Sequence, residues 1–204
     1  MEIEAKFITT PKVFEEILNL KDIAGYKIKE VIDIEETDTY FDTEELDLHR
    51  QELSYRIRKK DDTFLITLKE KPIRTGAIYS RFEEEEHIKE KDVPRFYDSS
   101  LKIKPVTKAK ELAEGKKLLK IFAIDKKRKR AVITKGSFMI RLDMDTIHYL
   151  IDSSKKKEYE LEVEAKTAPM EEVEKIEEFL RKKFGKKLKP SKRSKYERGL
   201  ALMA

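Results

Sequence analysis

The chain has no cysteine and no tryptophan, and only six glycines and six prolines among its 204 residues. Without cysteine there is neither a disulfide framework nor a thiolate metal site. Without tryptophan, any platform for stacking a base or another ring falls to tyrosine or phenylalanine. No apolar run approaches the roughly 20 residues that a membrane-crossing helix needs, and no signal-peptide pattern precedes the first strand. A soluble, cytoplasmic protein with no membrane partner is therefore expected. No linker rich in glycine, serine or proline and no fixed-period repeat divides the chain, so residues 1–204 read as one domain. A Walker A loop, G-x-G-x-x-G and H-E-x-x-H are also missing. His49, His87 and His148 form no ligand cluster.

Charge of both signs is abundant. Lysine and arginine number 46 against 41 aspartates and glutamates, and 43% of the residues are charged, well above the usual quarter. Lysine and glutamate enrichment without cysteine fits a thermophilic source. A net charge of +5 gives nucleic acid no priority, and no specific nucleic-acid partner is expected.

This charge is ordered. Glu2, Glu4 and Lys6 fall at one parity and Ile3, Ala5 and Phe7 at the other, which is a strand with one charged and one apolar face. The pattern returns with Arg56 and Arg58 against Tyr55 and Ile57, and with Thr67 and Lys69 against Phe64, Ile66 and Leu68. It returns again in Arg81, Glu83 and Glu85, where Glu84 and Glu86 interrupt the apolar side. Lys126, Arg128 and Arg130 lie in a long strand over 118–134. Asp143 and Asp145 oppose Leu142 and Met144, and Glu158, Glu160, Glu162 and Glu164 oppose Tyr159, Leu161 and Val163. About eight strands result. Thr10-Pro11 opens a helix. Pro169 opens another, with Met170, Val173, Ile176, Leu180 and Phe184 as its stripe and Gly185 as its stop.

The signs are sorted by strand, and a strand lined with four carboxylates repels itself. Two unit charges about 4 Å apart interact by roughly 4 kcal/mol at an effective dielectric near 20. Hard divalent cations with oxygen ligands would relieve the acidic strands. The basic strands call for a polyanion, whose phosphate oxygens the arginine fork fits. One reading is a closed barrel that gathers carboxylates and cations around a polyphosphate. The other is a solvated sheet face with cross-strand ion pairs. Patterning alone leaves the two level.

The motifs Glu2-x-Glu4-x-Lys6, Tyr40-Phe41-Asp42-Thr43, Arg56-x-Arg58, Thr67-Leu68-Lys69, Arg81-x-Glu83-x-Glu85, Lys126-x-Arg128-x-Arg130, Leu142-Asp143, Glu160-x-Glu162 and Ser194-Lys195-Tyr196 run through nearly the whole chain. In this order they resemble the CYTH superfamily, the triphosphate tunnel metalloenzymes. The resemblance implies an α+β fold, an eight-stranded antiparallel closed barrel with helices packed outside it. It implies Mg2+ or Mn2+ held by Glu2, Glu4, Glu160 and Glu162, helped by Asp143 and Asp145. Lys6, Arg56, Arg58, Lys69, Arg81, Lys126, Arg128 and Arg130 would bind a triphosphate. Tyr40 and Lys195 match positions near the tunnel mouth. Glu83 and Glu85 would support the cations or the metal.

The activity so implied is metal-dependent hydrolysis of tripolyphosphate or of a nucleoside or thiamine triphosphate. Glu4 or Glu162 would help deprotonate the attacking water, and Lys6 would act beside them. An adenylyl cyclase of the same superfamily is the rival enzyme; its pattern extends upstream of the first motif, where Met1 stands here. A non-catalytic polyphosphate- or RNA-binding module is the rival of another class. The partner expected is a triphosphate-containing small molecule, and the protein a monomer or homodimer. Lys127 and Lys129 should face solvent, and Arg141, which has no counterpart in these motifs, is expected to pair with a neighbouring carboxylate.

Overall fold

The computed structural model describes residues 2–70, 73–75, 78–81, 83–151 and 154–203; the side chains of residues 2, 73–75, 78–81, 154 and 155 lie outside that description. Eleven described strands form one sheet. They are β1 (Glu2–Ile8), β2 (Lys27–Asp42), β3 (Ser54–Lys60), β4 (Thr63–Lys69), β5 (Ile73–Thr75), β6 (Ile78–Arg81), β7 (Glu83–Ile88), β8 (Leu119–Lys135), β9 (Phe138–Ile151), β10 (Ser154–Ala165) and β11 (Lys189–Pro190). Six α-helices accompany them among the described residues: α1 (Pro11–Leu18), α2 (Asp47–Arg50), α3 (Val93–Tyr97), α4 (Lys104–Leu112), α5 (Met170–Phe184) and α6 (Lys195–Leu200).

The order across the sheet is β5-β6-β1-β10-β9-β8-β2-β3-β4-β7, with β11 added to β1, and all its ladders are antiparallel. The eight-stranded closed barrel is thus corrected in two respects. The strands number eleven, and no ladder among the described residues closes the path. The reason lies in the stretch expected as one strand over 80–88. Its first part, β6, pairs with β1, and its second, β7, pairs with β4. One segment thereby serves both edges of the sheet, which are joined through the chain instead of through hydrogen bonds.

The apolar parity of the strands faces outward onto helices. Ala5 and Phe7 of β1, Leu161 and Val163 of β10 and Leu142 of β9 are fully buried under Val13 and Ile17 of α1 and Val173, Ile176 and Leu180 of α5. Each of these side chains larger than alanine contributes about 1.5–3 kcal/mol by leaving water. A second layer covers β3 and β4, whose Tyr55, Ile57, Ile66 and Leu68 pack with Phe96 of α3 and Val106 and Ala109 of α4. Glu84, which interrupts the apolar side of β7, pairs with Lys104 of α4 at 2.7 Å.

The inward parity is not charged throughout. On β8 it runs Phe122, Ile124, then Lys126, Arg128, Arg130; on β9 it runs Tyr149, Ile147, then Asp145 and Asp143. Phe122, Ile124, Ile147 and Tyr149 join Tyr40 and Tyr196 of α6 in a third buried cluster. Tyr196 stacks on Tyr40 with ring centroids 5.2 Å apart. One end of the space that the curved sheet encloses is therefore filled by an apolar plug under α6, and the charged end remains.

Candidate functional site

That charged end is a cavity of about 610 Å3. Strand geometry supplies its walls, because every second side chain of β1, β2, β3, β4, β7, β8, β9 and β10 points inward. Among the described residues, ten cationic side chains line it against seven carboxylates. Three more carboxylates, Asp38, Asp145 and Glu160, lie fully buried behind that lining.

Cross-strand pairs organise the walls. Asp38 of β2 accepts from Arg58 Nε at 2.7 Å and from Arg56 at 3.1 Å, and lies 3.0 Å from Lys126 Nζ. Glu36 accepts from Lys126 at 2.8 Å. Arg128 forks onto Asp145 at 2.6 and 2.7 Å and also reaches Glu162 at 3.0 Å and Asp143 at 2.5 Å. Arg130 forks onto Asp143 at 2.6 and 2.7 Å. Lys6 lies 2.7 Å from Glu4 and 3.4 Å from Glu162. Lys69 pairs with Glu83, and Thr67 donates to Glu85 at 3.1 Å. The ion-pair ladder that patterning offered as an alternative to a binding cavity is therefore real, and it lines the cavity. Arg56 Nε alone among the described buried side-chain polar atoms has no partner.

At the plugged end, Ser194 caps α6 through a reciprocal capping box with Glu197, which fixes the first turn and presents Lys195. Its ammonium binds Glu160, lies 2.8 Å from Glu162 and 3.1 Å from Asp145. Arg198, one turn on, donates to Glu158 at 2.8 Å and to Glu160 at 2.6 Å. Ligand oxygens of Asp145, Glu160 and Glu162 all lie within 4.8 Å of one another. An all-oxygen carboxylate set suits a hard divalent cation, so the residues fit Mg2+ or Mn2+, with Lys195 as the cation that holds their charge in its place.

The electrostatics follow from burial and pairing. Burial would raise the Glu36 carboxyl, but Lys126, Arg58 and Arg128 outweigh it and lower it to about 2. Asp38 and Glu162 are likewise held well below the ordinary carboxylate range, the first by Arg56 and Arg58, the second by Lys195, Lys6 and Arg128, in each case against burial. Lys126 moves down to about 8, because burial and the nearby Arg58 outweigh its two carboxylates.

Of the residues singled out from the sequence, Glu4, Lys6, Arg56, Arg58, Lys69, Glu83, Glu85, Lys126, Arg128, Arg130, Asp143, Glu162, Tyr40 and Lys195 line one cavity, with Asp145 and Glu160 bonded behind them. The side chains of Glu2 and Arg81 lie outside the described residues, although their backbones pair between β1 and β6. Tyr40 and Lys195, expected near a mouth, are buried at the plugged end of the cavity, Tyr40 under α6 and Lys195 as the first residue of α6. Lys127 and Lys129 face outward as expected, pairing with Glu35 and Asp33. Sequence reading passed over Glu36 and Asp38, which share the parity of Tyr40, and Arg198, which lies one helical turn beyond Lys195. It also passed over Leu65, Ala165 and Lys166 as lining residues, whereas Ser54 and Glu164 lie on the faces that their parity gave them.

A family model described as the CYTH domain matches residues 1–200. Among solved structures, an adenylyl cyclase candidate from Hippeastrum, described as revealing a dominant triphosphatase activity, is 22% identical with a TM-score of 0.69, over 98% of this chain and 96% of that one. An adenylate cyclase candidate from Bacillus halodurans is 20% identical with a TM-score of 0.67, over 97% and 96%. A protein from Pyrococcus horikoshii OT3 is 18% identical with a TM-score of 0.63, over the whole of both chains. These likenesses are likenesses of fold. A search of the curated proteins returns no match.

Proposed function

Because the chain belongs to the CYTH domain family, we propose that it hydrolyses the phosphoanhydride of a triphosphate substrate in a reaction that depends on Mg2+ or Mn2+. The observation that carries this reading is one cavity in which Lys6, Arg56, Arg58, Lys69, Lys126, Arg128 and Arg130 converge beside the carboxylate trio. Arginine forks suit phosphate oxygens, and Arg56 has a buried donor still to satisfy. The donors are held in place by their carboxylates before any substrate arrives, which is the preorganisation that stabilises charge on transferring and leaving phosphates.

Metal dependence has a charge argument behind it. The cavity's cations are nearly matched by its carboxylates, so a triphosphate entering alone would bring several uncompensated charges into a site of low dielectric. A divalent ion held by Asp145, Glu160 and Glu162 would supply charge neutralisation and Lewis-acid polarisation of phosphate oxygens. Glu162, kept anionic by its neighbours, suits holding an ion better than taking a proton. Glu4, paired with Lys6 at 2.7 Å, is the carboxylate we assign to accepting the proton of the attacking water.

The test is phosphate release from tripolyphosphate and from ATP, with Mg2+ or Mn2+ and with EDTA, with cyclic AMP measured in the ATP samples. Metal-dependent phosphate without cyclic AMP is expected. Cyclic AMP with pyrophosphate would make the protein a cyclase. Polyphosphate binding without turnover, unaffected by EDTA and steeply salt-dependent, would make it a binding module.

A further inference from the structure

We propose that Arg141 marks an additional anion subsite at the end of the cavity away from α6, one that takes the phosphate following the third in a longer inorganic chain. The inference rests on the triphosphatase reading and extends it to chain length.

Arg141 lies on β9 at the inward parity of Asp143 and Asp145 and lines the cavity. It stands two residues beyond Asp143, away from α6, and two positions along a strand span about 6.6 Å. The next phosphates of an extended chain would cross that distance on leaving the deeper cations. Directly across the ladder from Arg141 is Glu164, its natural partner. That carboxylate is instead taken by Lys166 at 2.7 Å. No described residue forms a hydrogen bond or ion pair with the Arg141 side chain, whereas Arg56, Arg58, Arg128 and Arg130 are all forked or paired. A half-buried guanidinium with its donors open, lining a cavity roomy enough for several phosphates, is suited to a phosphate oxygen pair.

Among the described residues, that end offers little that a nucleoside would use. The two tyrosines that line the cavity, Tyr40 and Tyr196, belong to the plug under α6, and Tyr196 is bonded to Asp42 at 2.7 Å. Beside Arg141's end the described lining offers Leu65, Ala165 and the single ring of His87. Among the described residues that end is poor in stacking surface, which favours another phosphate over a base.

The experiment is calorimetric titration of tripolyphosphate, tetrapolyphosphate and ATP with Mg2+ into a Glu4→Gln parent, which lacks the proton acceptor so that turnover does not intervene, and into the same parent carrying Arg141→Ala. In the parent tetrapolyphosphate should bind about tenfold tighter than tripolyphosphate, the worth of a charge-assisted pair. Arg141→Ala should bring that ratio close to one, and Arg141→Lys should leave it intermediate. Equal binding of the two chains by the parent, or a ratio that Arg141→Ala retains, would overturn the proposal. So would an effect of the added substitution on ATP alone, or no binding of either polyphosphate. Tight, length-dependent binding by the wild type without turnover in Mg2+ would sink the hydrolase reading and leave this subsite standing.

Discussion

Lys195 Nζ lies 2.8 Å from Glu162 Oε1, linking the first residue of α6 to the middle of β10. The same ammonium holds Glu160 and Asp145, so one lysine compensates three buried carboxylates. Removing one partner from a buried charge cluster typically costs about 3–5 kcal/mol. Lys195→Gln should therefore lower the Tm of the metal-free protein by many degrees. A divalent cation that binds the same carboxylates should restore much of that loss, through ordinary ligand linkage. Thermal unfolding with and without Mn2+ checks this: a larger metal-induced rise in the variant than in the wild type is expected. Equal rises would place the metal elsewhere.

Arg56 pairs with Asp38 through one terminal nitrogen and keeps Nε buried without a partner. Arg56→Lys keeps the charge but loses the fork. Affinity for tripolyphosphate should fall about tenfold or more, the scale of one hydrogen bond to a charged group. Titration at matched ionic strength reads it, with circular dichroism to confirm the fold. An unchanged affinity would remove Arg56 from the phosphate site.

Much of this site was legible because two simple signals coincide. Side-chain parity in a strand identifies a face, and the sign of the residues on that face identifies its chemistry, as Lys126, Arg128 and Arg130 show. Which cation meets which carboxylate was not legible. Arg128 meets Asp145 because β8 and β9 pair in one register, and Lys126 meets Glu36 across a separation of 90 residues. Glu36 and Asp38 were overlooked because Thr37 and Thr39 blur the alternation of β2. The plug escaped notice for a related reason. Phe122 and Ile124 continue the inward face of Lys126, yet apolar residues in a strand read as the outward, helix-covered side. The split of 80–88 between two edges depends on closure geometry, which local pattern does not encode.

Gly199 shows how tightly the plug is made. A Cβ there would come within 2.2 Å of the Phe122 ring, and Phe122 cannot retreat, being buried and packed on Tyr40 and Tyr196. Gly199→Ala should cost about 1–3 kcal/mol by overpacking, despite alanine's better helix propensity. The Tm should fall by several degrees. Because α6 carries Lys195, the displaced helix should also loosen the carboxylate trio, so Mn2+ should stabilise this variant more than the wild type. A Tm at or above that of the wild type would show that α6 has room to move.

The Lys126 ammonium sits 2.8 Å from Glu36 and 3.0 Å from Asp38, yet its pKa is pushed down to about 8. Burial disfavours its charge, and Arg58 and Arg128 add repulsion that the carboxylates do not fully offset. Two opposite pH dependences follow. Between about 8 and the ordinary lysine value of 10.5, the folded protein binds fewer protons at this site than the unfolded chain. Linkage then makes Lys126's contribution to stability rise with pH across that window. Substrate affinity runs the other way, since the empty site loses its proton above 8 while a bound polyanion favours keeping it. Tripolyphosphate binding at pH 9 should therefore take up close to one more proton in the wild type than in Lys126→Met, and at pH 7 the two proteins should scarcely differ. Titration in two buffers of different ionisation enthalpy measures the uptake, and the difference between the proteins removes the substrate's own protonation. Equal uptake at pH 9 would mean that Lys126 does not sense the phosphate.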